Sequence, residues 1–120
     1  MTWKQKIEKM FATGIFDTTS KLMMVLYYWL LGRITNSDAT ALFLQCGFTF
    51  TVPTTTGATI LTDGATSPAE FTIVTLITQY HVNYANSYLS TDEATDTIDI
   101  AYSDGYITDA EQTSLKGLGW

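Results

Sequence analysis

The side chains able to carry nucleophilic or acid–base chemistry are few in this chain. His81 is the only histidine and Cys46 the only cysteine among 120 residues. A Ser–His or Cys–His pair would have to use His81. The pattern places His81 on the apolar face of a helix over residues 68–89, together with Phe71, Val74, Ile77, Tyr84 and Tyr88. A hydrogen-bonded, partly buried histidine is expected there, and Cys46, which ends an apolar run, is expected to be a buried thiol. With no paired-carboxylate motif either, the sequence predicts that the protein is not an enzyme.

Metal binding has one candidate stretch. One cysteine and one histidine cannot complete a tetrahedral zinc site by themselves. The segment from Ile98 to Glu111, which reads IDIAYSDGYITDAE, resembles the second half of an EF-hand or dockerin-type calcium loop. The resemblance implies that Gly105 supplies the sharp turn, Ile107 the hydrophobic anchor and Glu111 the bidentate final ligand.

This loop departs from the calcium-binding family at its first two ligand positions. Counting back from Gly105 places Ile100 and Tyr102 where the family has carboxylates. A degenerate site would therefore need neighbouring acids to complete it. The candidate ligands are Asp99, Asp104, Asp109 and Glu111. No cofactor is expected apart from Ca²⁺ at such a degenerate site. The alternative interpretation of the same stretch is a helix–glycine–helix turn with a threonine cap.

Charge is divided unevenly along the chain. Residues 1–33 carry five basic and two acidic side chains, a net +3, whereas residues 34–120 carry one basic and ten acidic side chains, a net −9. Phosphate contacts need Lys or Arg, so the acidic part is not expected to bind nucleic acid directly. Threonine replaces the missing charges, with eighteen in residues 34–115. Such a surface is covered by a protein partner at little desolvation cost.

One apolar run raises the question of membrane contact. It covers Leu22–Leu31, ten residues between Lys21 and Arg33, which is about half of what a membrane-spanning helix needs. The run therefore predicts a buried core helix. Contact of residues 1–31 with lipid is kept as a less favoured alternative, and no cleavable secretory pattern is present at the N-terminus.

Periodicity and capping signals predict a mainly α fold in one domain. Short alternating segments at 48–52 and 58–61 predict a two-stranded β-hairpin or loop excursion at about residues 48–64. Capping boxes are expected at Ser67–Glu70, Ser90–Glu93 and Thr108–Glu111. The predicted helices cover residues 3–11, 18–31, 39–46, 68–89, 91–102 and 109–116. Within the single domain 1–120, residues 1–33 form a basic helical head, 34–66 a mixed segment and 67–120 an acidic helical body.

These features together favour a structural protein that self-associates or docks on a larger assembly. Contact between the basic head of one copy and the acidic body of another would satisfy both sets of charges. The residues expected at such contacts are Trp3, Lys4, Lys6, Ile7, Lys9, Met10, Phe11, Tyr28 and Trp29.

A small, acidic, threonine-rich chain of this kind favours a virion component, namely a capsid-cementing, connector or tail protein of a phage; outside a virion it would be cytoplasmic. Two alternatives stay open. The first is a calcium-responsive helical binding module that uses residues 99–111. The second is a small subunit of a membrane-associated complex.

Overall fold

A computed structural model describes residues 1–64, 69–82 and 89–120. Within these ranges the chain forms six helices and a small antiparallel sheet, which confirms the mainly α fold class. The helices are α1 (Trp3–Ala12), α2 (Thr18–Leu30), α3 (Asn36–Gln45), α4 (Ile73–Val82), α5 (Thr91–Ser103) and α6 (Asp109–Lys116). The strands are β1 (Thr49–Phe50), β2 (Thr59–Thr62) and β3 (Glu70–Thr72).

Local side-chain caps set where most of these helices begin. Asp17 accepts from the Ser20 amide at 2.8 Å and starts α2, as predicted. The predicted capping boxes that begin with Ser90 and Thr108 both form, at the starts of α5 and α6. Helix α3 begins three residues earlier than predicted. Thr35 caps it through a box with Asp38, a combination that the sequence interpretation did not consider.

The hairpin predicted in the middle third forms from β1 and β2, which pair Phe50 with Leu61. A third strand joins it, since β3 pairs antiparallel with β2 and gives the order β1-β2-β3. Leu61 faces Phe71 across that second pair. The sheet packs against α3 through β1 and continues directly into α4 through β3.

The helix predicted over residues 68–89 is wrong at its start. Residues 70–72 form β3, and helix α4 begins at Ile73. The Thr72 hydroxyl accepts from the Thr75 amide at 3.1 Å and so provides the cap that the prediction had assigned to Ser67. Phe71, an aromatic residue suited to a strand, pairs with β2 instead of continuing a helix. Ser67, Pro68 and the predicted helical residues 83–88 lie outside the described residues.

The buried face of α4 is also rotated from the prediction. Ile73, Leu76, Ile77 and Tyr80 are its buried residues, whereas the predicted apolar face carried Phe71, Val74, Ile77 and His81. Only Ile77 belongs to both sets.

Helix α2 is the centre of the core. Residues Leu22–Leu26 are all fully buried, and the helix packs against α3, α4 and α5. This confirms that the apolar run forms a core helix, because its side chains are covered by the chain itself. The described buried hydrophobic residues form one cluster that also takes in Ile7 from α1, Phe43 from α3 and Ile98 from α5.

Candidate functional site

The basic head is arranged around the ring of Trp3. This ring packs on Tyr28 with centroids 5.1 Å apart. Lys6 Nζ lies 4.5 Å from the Trp3 centroid and the Arg33 guanidinium carbon 5.6 Å from it. Cations at such distances from an aromatic ring are attracted to its negative face. Trp3 therefore joins α1 to α2 and holds two positive charges at the surface.

A second cation lies on a neighbouring ring. Lys21 Nζ is 5.5 Å from the centroid of Phe11, which is half-buried near the end of α1. Glu8 on the same helix accepts from the Gln45 side chain at 2.8 Å and links α1 to α3. These contacts hold helix α1 on α2 and α3, while Lys6 and Lys9 on the same helix are exposed to solvent.

Not all of the predicted interaction residues face outward. Ile7 is fully buried and Tyr28 is 6% exposed, so both lie in the core of their own chain. Trp29 is covered by Phe50 at 5.3 Å and Tyr106 at 5.7 Å, and its indole N–H donates to Asn36 at 2.7 Å. Of the other predicted interaction residues, Lys6 and Lys9 are exposed, whereas Trp3, Lys4, Met10, Phe11 and Trp29 are half-buried.

The seven acidic side chains between residues 92 and 111 are of three kinds: two glutamates in capping boxes, four exposed aspartates, and Asp99, which has a basic partner. Glu93 and Glu111 accept from the amides of Ser90 and Thr108 at 3.0 and 2.9 Å, so they are N-terminal caps. Four carboxylates remain exposed at the surface, and we call them the acidic surface: Asp92, Asp96, Asp104 and Asp109. Asp109 raises the pKa of the exposed Tyr102 hydroxyl through a hydrogen bond.

Asp99 is the carboxylate with a basic partner. Lys116 Nζ lies 3.0 and 3.2 Å from its two oxygens, and Gln112 donates to it at 3.0 Å. The hydrogen bond from Lys116 holds the pKa of Asp99 below its ordinary value. This is the one ion pair that the structure describes in residues 1–64, 69–82 and 89–120, and it includes none of the five basic residues of the head.

The stretch that resembles a calcium loop is mostly not a loop. Residues Ile100 to Ser103 belong to α5, and the turn follows at Asp104 and Gly105 with a φ of +81° at the glycine. In an EF-hand the backbone carbonyl after the glycine is a ligand. Here that carbonyl, of Tyr106, accepts from the Gly57 amide at 3.3 Å. The Gly105 carbonyl accepts from the Thr56 hydroxyl at 2.7 Å.

Three of the four candidate calcium ligands therefore have other partners, and the fourth, Asp104, is exposed at the surface. Asp99 pairs with Lys116, Asp109 interacts with Tyr102, and Glu111 caps α6. Within the described residues, no group of three or more His, Cys, Asp or Glu side chains is placed to hold a metal ion. In this chain the turn binds the β1–β2 loop, because its Gly105 and Tyr106 carbonyls accept hydrogen bonds from Thr56 and Gly57.

The two nucleophile candidates, His81 and Cys46, are both half-buried. His81 is half-buried, with Nε2 3.4 Å from the Gly119 carbonyl oxygen and its ring 4.7 Å from that of Trp120. Cys46 is half-buried at the end of α3, where burial raises the pKa of its thiol above the ordinary value and Lys21 opposes that shift. A raised pKa keeps the sulfur protonated at neutral pH, the opposite of what a nucleophile requires.

A groove lies between α4 and α6, and the sequence interpretation did not find it. Its volume is about 290 Å³. Val74, Leu115 and Leu118 supply its apolar lining, with Ala110, Glu111, Ser114 and Thr78 at its sides. The helix period of α6 could have indicated Leu115 and Leu118, but the contribution of α4 depends on where that helix begins.

None of the helices described here is both long and apolar enough to cross a lipid bilayer. Comparisons with protein-family models, with curated proteins and with solved structures find no match to this chain.

Proposed function

We propose that this protein is a non-enzymatic structural component that assembles with further copies of itself, through its basic head and its acidic surface. One observation carries the proposal. The five basic residues of the head form no ion pair with a carboxylate in the described parts of the chain, although the same chain presents four exposed carboxylates on α5 and α6.

Two complementary charge sets on one chain favour contact between copies. Isolated surface charges are screened within about 8–10 Å at physiological salt, so the two sets gain little from each other unless a second chain brings them together. Complementary patches raise the rate of encounter and fix its orientation. Because the head and the acidic surface are different surfaces, the contact is heterologous and can extend to a ring or a filament.

The packing of α1 supports a preformed head. Trp3 and Phe11 rest on α2 and its flanking cations, and Ile7 is buried in the core. The lysines are thus presented by a fixed helix, which loses less conformational entropy on binding than a mobile arm would. The kind of assembly that the composition favours is a virion, with the protein as a capsid-cementing, connector or tail component.

Charge reversal of two lysines tests this proposal. Lys4 and Lys9 have no described ion pair or aromatic contact, so Lys4→Glu combined with Lys9→Glu leaves the fold of α1 intact. We expect the wild-type protein to form oligomers in sedimentation velocity and the double variant to be monomeric. The matched control, Lys4→Arg with Lys9→Arg, keeps the charge and should keep the oligomers.

Salt provides the second arm of the same test. At about 1 M salt the Debye length falls to about 3 Å, so oligomers held by charge should weaken sharply. Deleting residues 1–12 is a poorer test, since it also removes Ile7 from the core. Oligomers that persist unchanged both in the Glu variant and at high salt would contradict charge-driven assembly. Electron microscopy of the native material then shows the shape and symmetry of any particle.

A further inference from the structure

The loop between α1 and α2 carries an apolar side chain that its own chain does not cover. Ile15 is 74% exposed, next to the left-handed turn at Gly14, whose φ is +70°. Ile15 and Val82, each 74% exposed, are the most exposed large hydrophobic side chains of the described residues. In the sequence Ile15 lies between two lysines of the basic head, Lys9 and Lys21.

The groove between α4 and α6 is complementary to Ile15, because its lining is apolar and an acidic residue lies in its wall. Val74, Leu115 and Leu118 form an apolar lining, and Leu118 itself is 37% exposed. Glu111 lies in the wall, and Asp109 begins the same helix. With a volume of about 290 Å³ the groove is just below the range of about 300–1,000 Å³ that small-molecule pockets occupy. It suits one aliphatic side chain flanked by positive charge.

We infer that Ile15 of one copy inserts into the α4–α6 groove of a second copy. This inference rests on the proposed self-assembly and gives that assembly its apolar centre. Lys9 and Lys21 lie six residues before and after Ile15 in the sequence, and Glu111 lines the groove that receives it. An apolar contact ringed by complementary charge is the usual anatomy of a specific interface.

The arrangement separates affinity from orientation. Burial of the isoleucine side chain supplies most of the affinity, because apolar area is lost from water on both surfaces. The surrounding charges guide the approach and reject a partner in the wrong orientation. Since donor loop and acceptor groove lie on different parts of the chain, each copy offers one of each to its neighbours.

Two variants, one on each side of the contact, test the inference in the full-length chain. Ile15→Ser removes the inserted side chain at an exposed position. Ala110→Trp places an indole at the edge of the groove from an exposed position on α6. We expect each variant to keep the circular dichroism spectrum of the wild type and to raise the dissociation constant of the oligomer by about ten- to a hundredfold. The control, Leu44→Ser, alters an apolar residue that is 64% exposed on α3 and should leave the dissociation constant unchanged.

Mixing the two variants gives the decisive readout in sedimentation velocity. The Ile15→Ser chain keeps its groove and the Ala110→Trp chain keeps its isoleucine, so the mixture should form a complex of two chains although each variant alone is monomeric. Wild-type oligomers that Ile15→Ser does not weaken would overturn the insertion and leave charge-driven assembly standing. A wild-type chain that stays monomeric at every concentration would remove the proposed function and, with it, this inference.

Discussion

Lys116 holds Asp99 through both carboxylate oxygens, at 3.0 and 3.2 Å, and so ties the last turn of α6 back to α5. Gln112, one turn earlier on α6, donates to the same carboxylate. Lys116 thereby neutralises Asp99, which the sequence analysis had named as a candidate calcium ligand. The remaining carboxylates of α5 and α6 gain no such partner from residues 1–33.

Replacing Asp99 by Asn should lower stability in a pH-dependent way. The folded-state pKa of Asp99 lies below its unfolded value of about 3.9, so the ion pair stabilises the protein above that value and loses its effect as the pH falls through the folded-state pKa. Both side chains are 44% exposed, so the expected loss at about pH 7 is no more than about 1 kcal/mol. Urea unfolding in steps from about pH 7 downward, with wild type and variant compared, measures it.

Asp96→Asn is the matched control for that experiment. Asp96 lies on the same helix and is exposed, with no ion pair described for it. Its replacement removes one of several like charges, so stability at about pH 7 should stay the same or rise slightly. A gap between the Asp99→Asn variant and wild type that stays constant down to the lowest pH would contradict an ionic origin.

Calcium is expected to leave the melting temperature unchanged. The Tyr106 carbonyl, the backbone ligand of an EF-hand, is hydrogen-bonded to Gly57, and the first ligand positions are helical. Weak extracellular sites bind calcium at about 0.1–1 mM, so a thermal melt with a few times that concentration tests the loop. A saturable rise in melting temperature that Glu111→Gln abolishes would instead support the calcium-binding alternative, because glutamine can still cap α6.

The sequence predicted most helix boundaries because their signals are local. A cap needs a hydroxyl or carboxylate oxygen that accepts from the backbone amide three residues later, and Asp17, Ser90 and Thr108 all do so within one turn. The same reasoning predicted the wrong start for α4. Glu70 could either close a capping box or extend the sheet, and the choice was decided by pairing with β2, a contact distant in sequence.

The candidate surfaces were predictable in charge but not in geometry. That the head is basic and the body acidic follows from composition alone. That Ile7 and Tyr28 are buried while Trp3 carries two cations depends on how α1 docks on α2. The α4–α6 groove requires these two helices to pack together, although they are distant in sequence. None of these contacts has a local signal.

Ile7→Ala should destabilise the folded chain strongly. The side chain is fully buried, and truncating a buried isoleucine costs about 2–5 kcal/mol through lost burial and the cavity left behind. Lys9→Ala on the same helix is exposed and should change stability by less than about 0.5 kcal/mol. Urea unfolding of the wild type and both variants measures these losses. A loss for Ile7→Ala as small as that for Lys9→Ala would contradict the burial of Ile7 in the core of its own chain.

Thr56→Val should loosen the turn between α5 and α6 without changing the core. The Thr56 hydroxyl donates to the Gly105 carbonyl at 2.7 Å, and valine keeps the shape of threonine but not the donor. An intramolecular hydrogen bond contributes about 0.5–1.5 kcal/mol, and an exposed one belongs at the lower end of that range. Thr55→Val, next in the chain and also exposed, removes a hydroxyl with no described side-chain partner and serves as the control.

Amide hydrogen exchange gives the sharper measurement. The Gly57 and Tyr106 amides should exchange faster in Thr56→Val than in Thr55→Val, because the β1–β2 loop is held on this turn by the Thr56 hydroxyl together with the Gly57 amide. Equal exchange in the two variants would show that the loop is held by its packing alone.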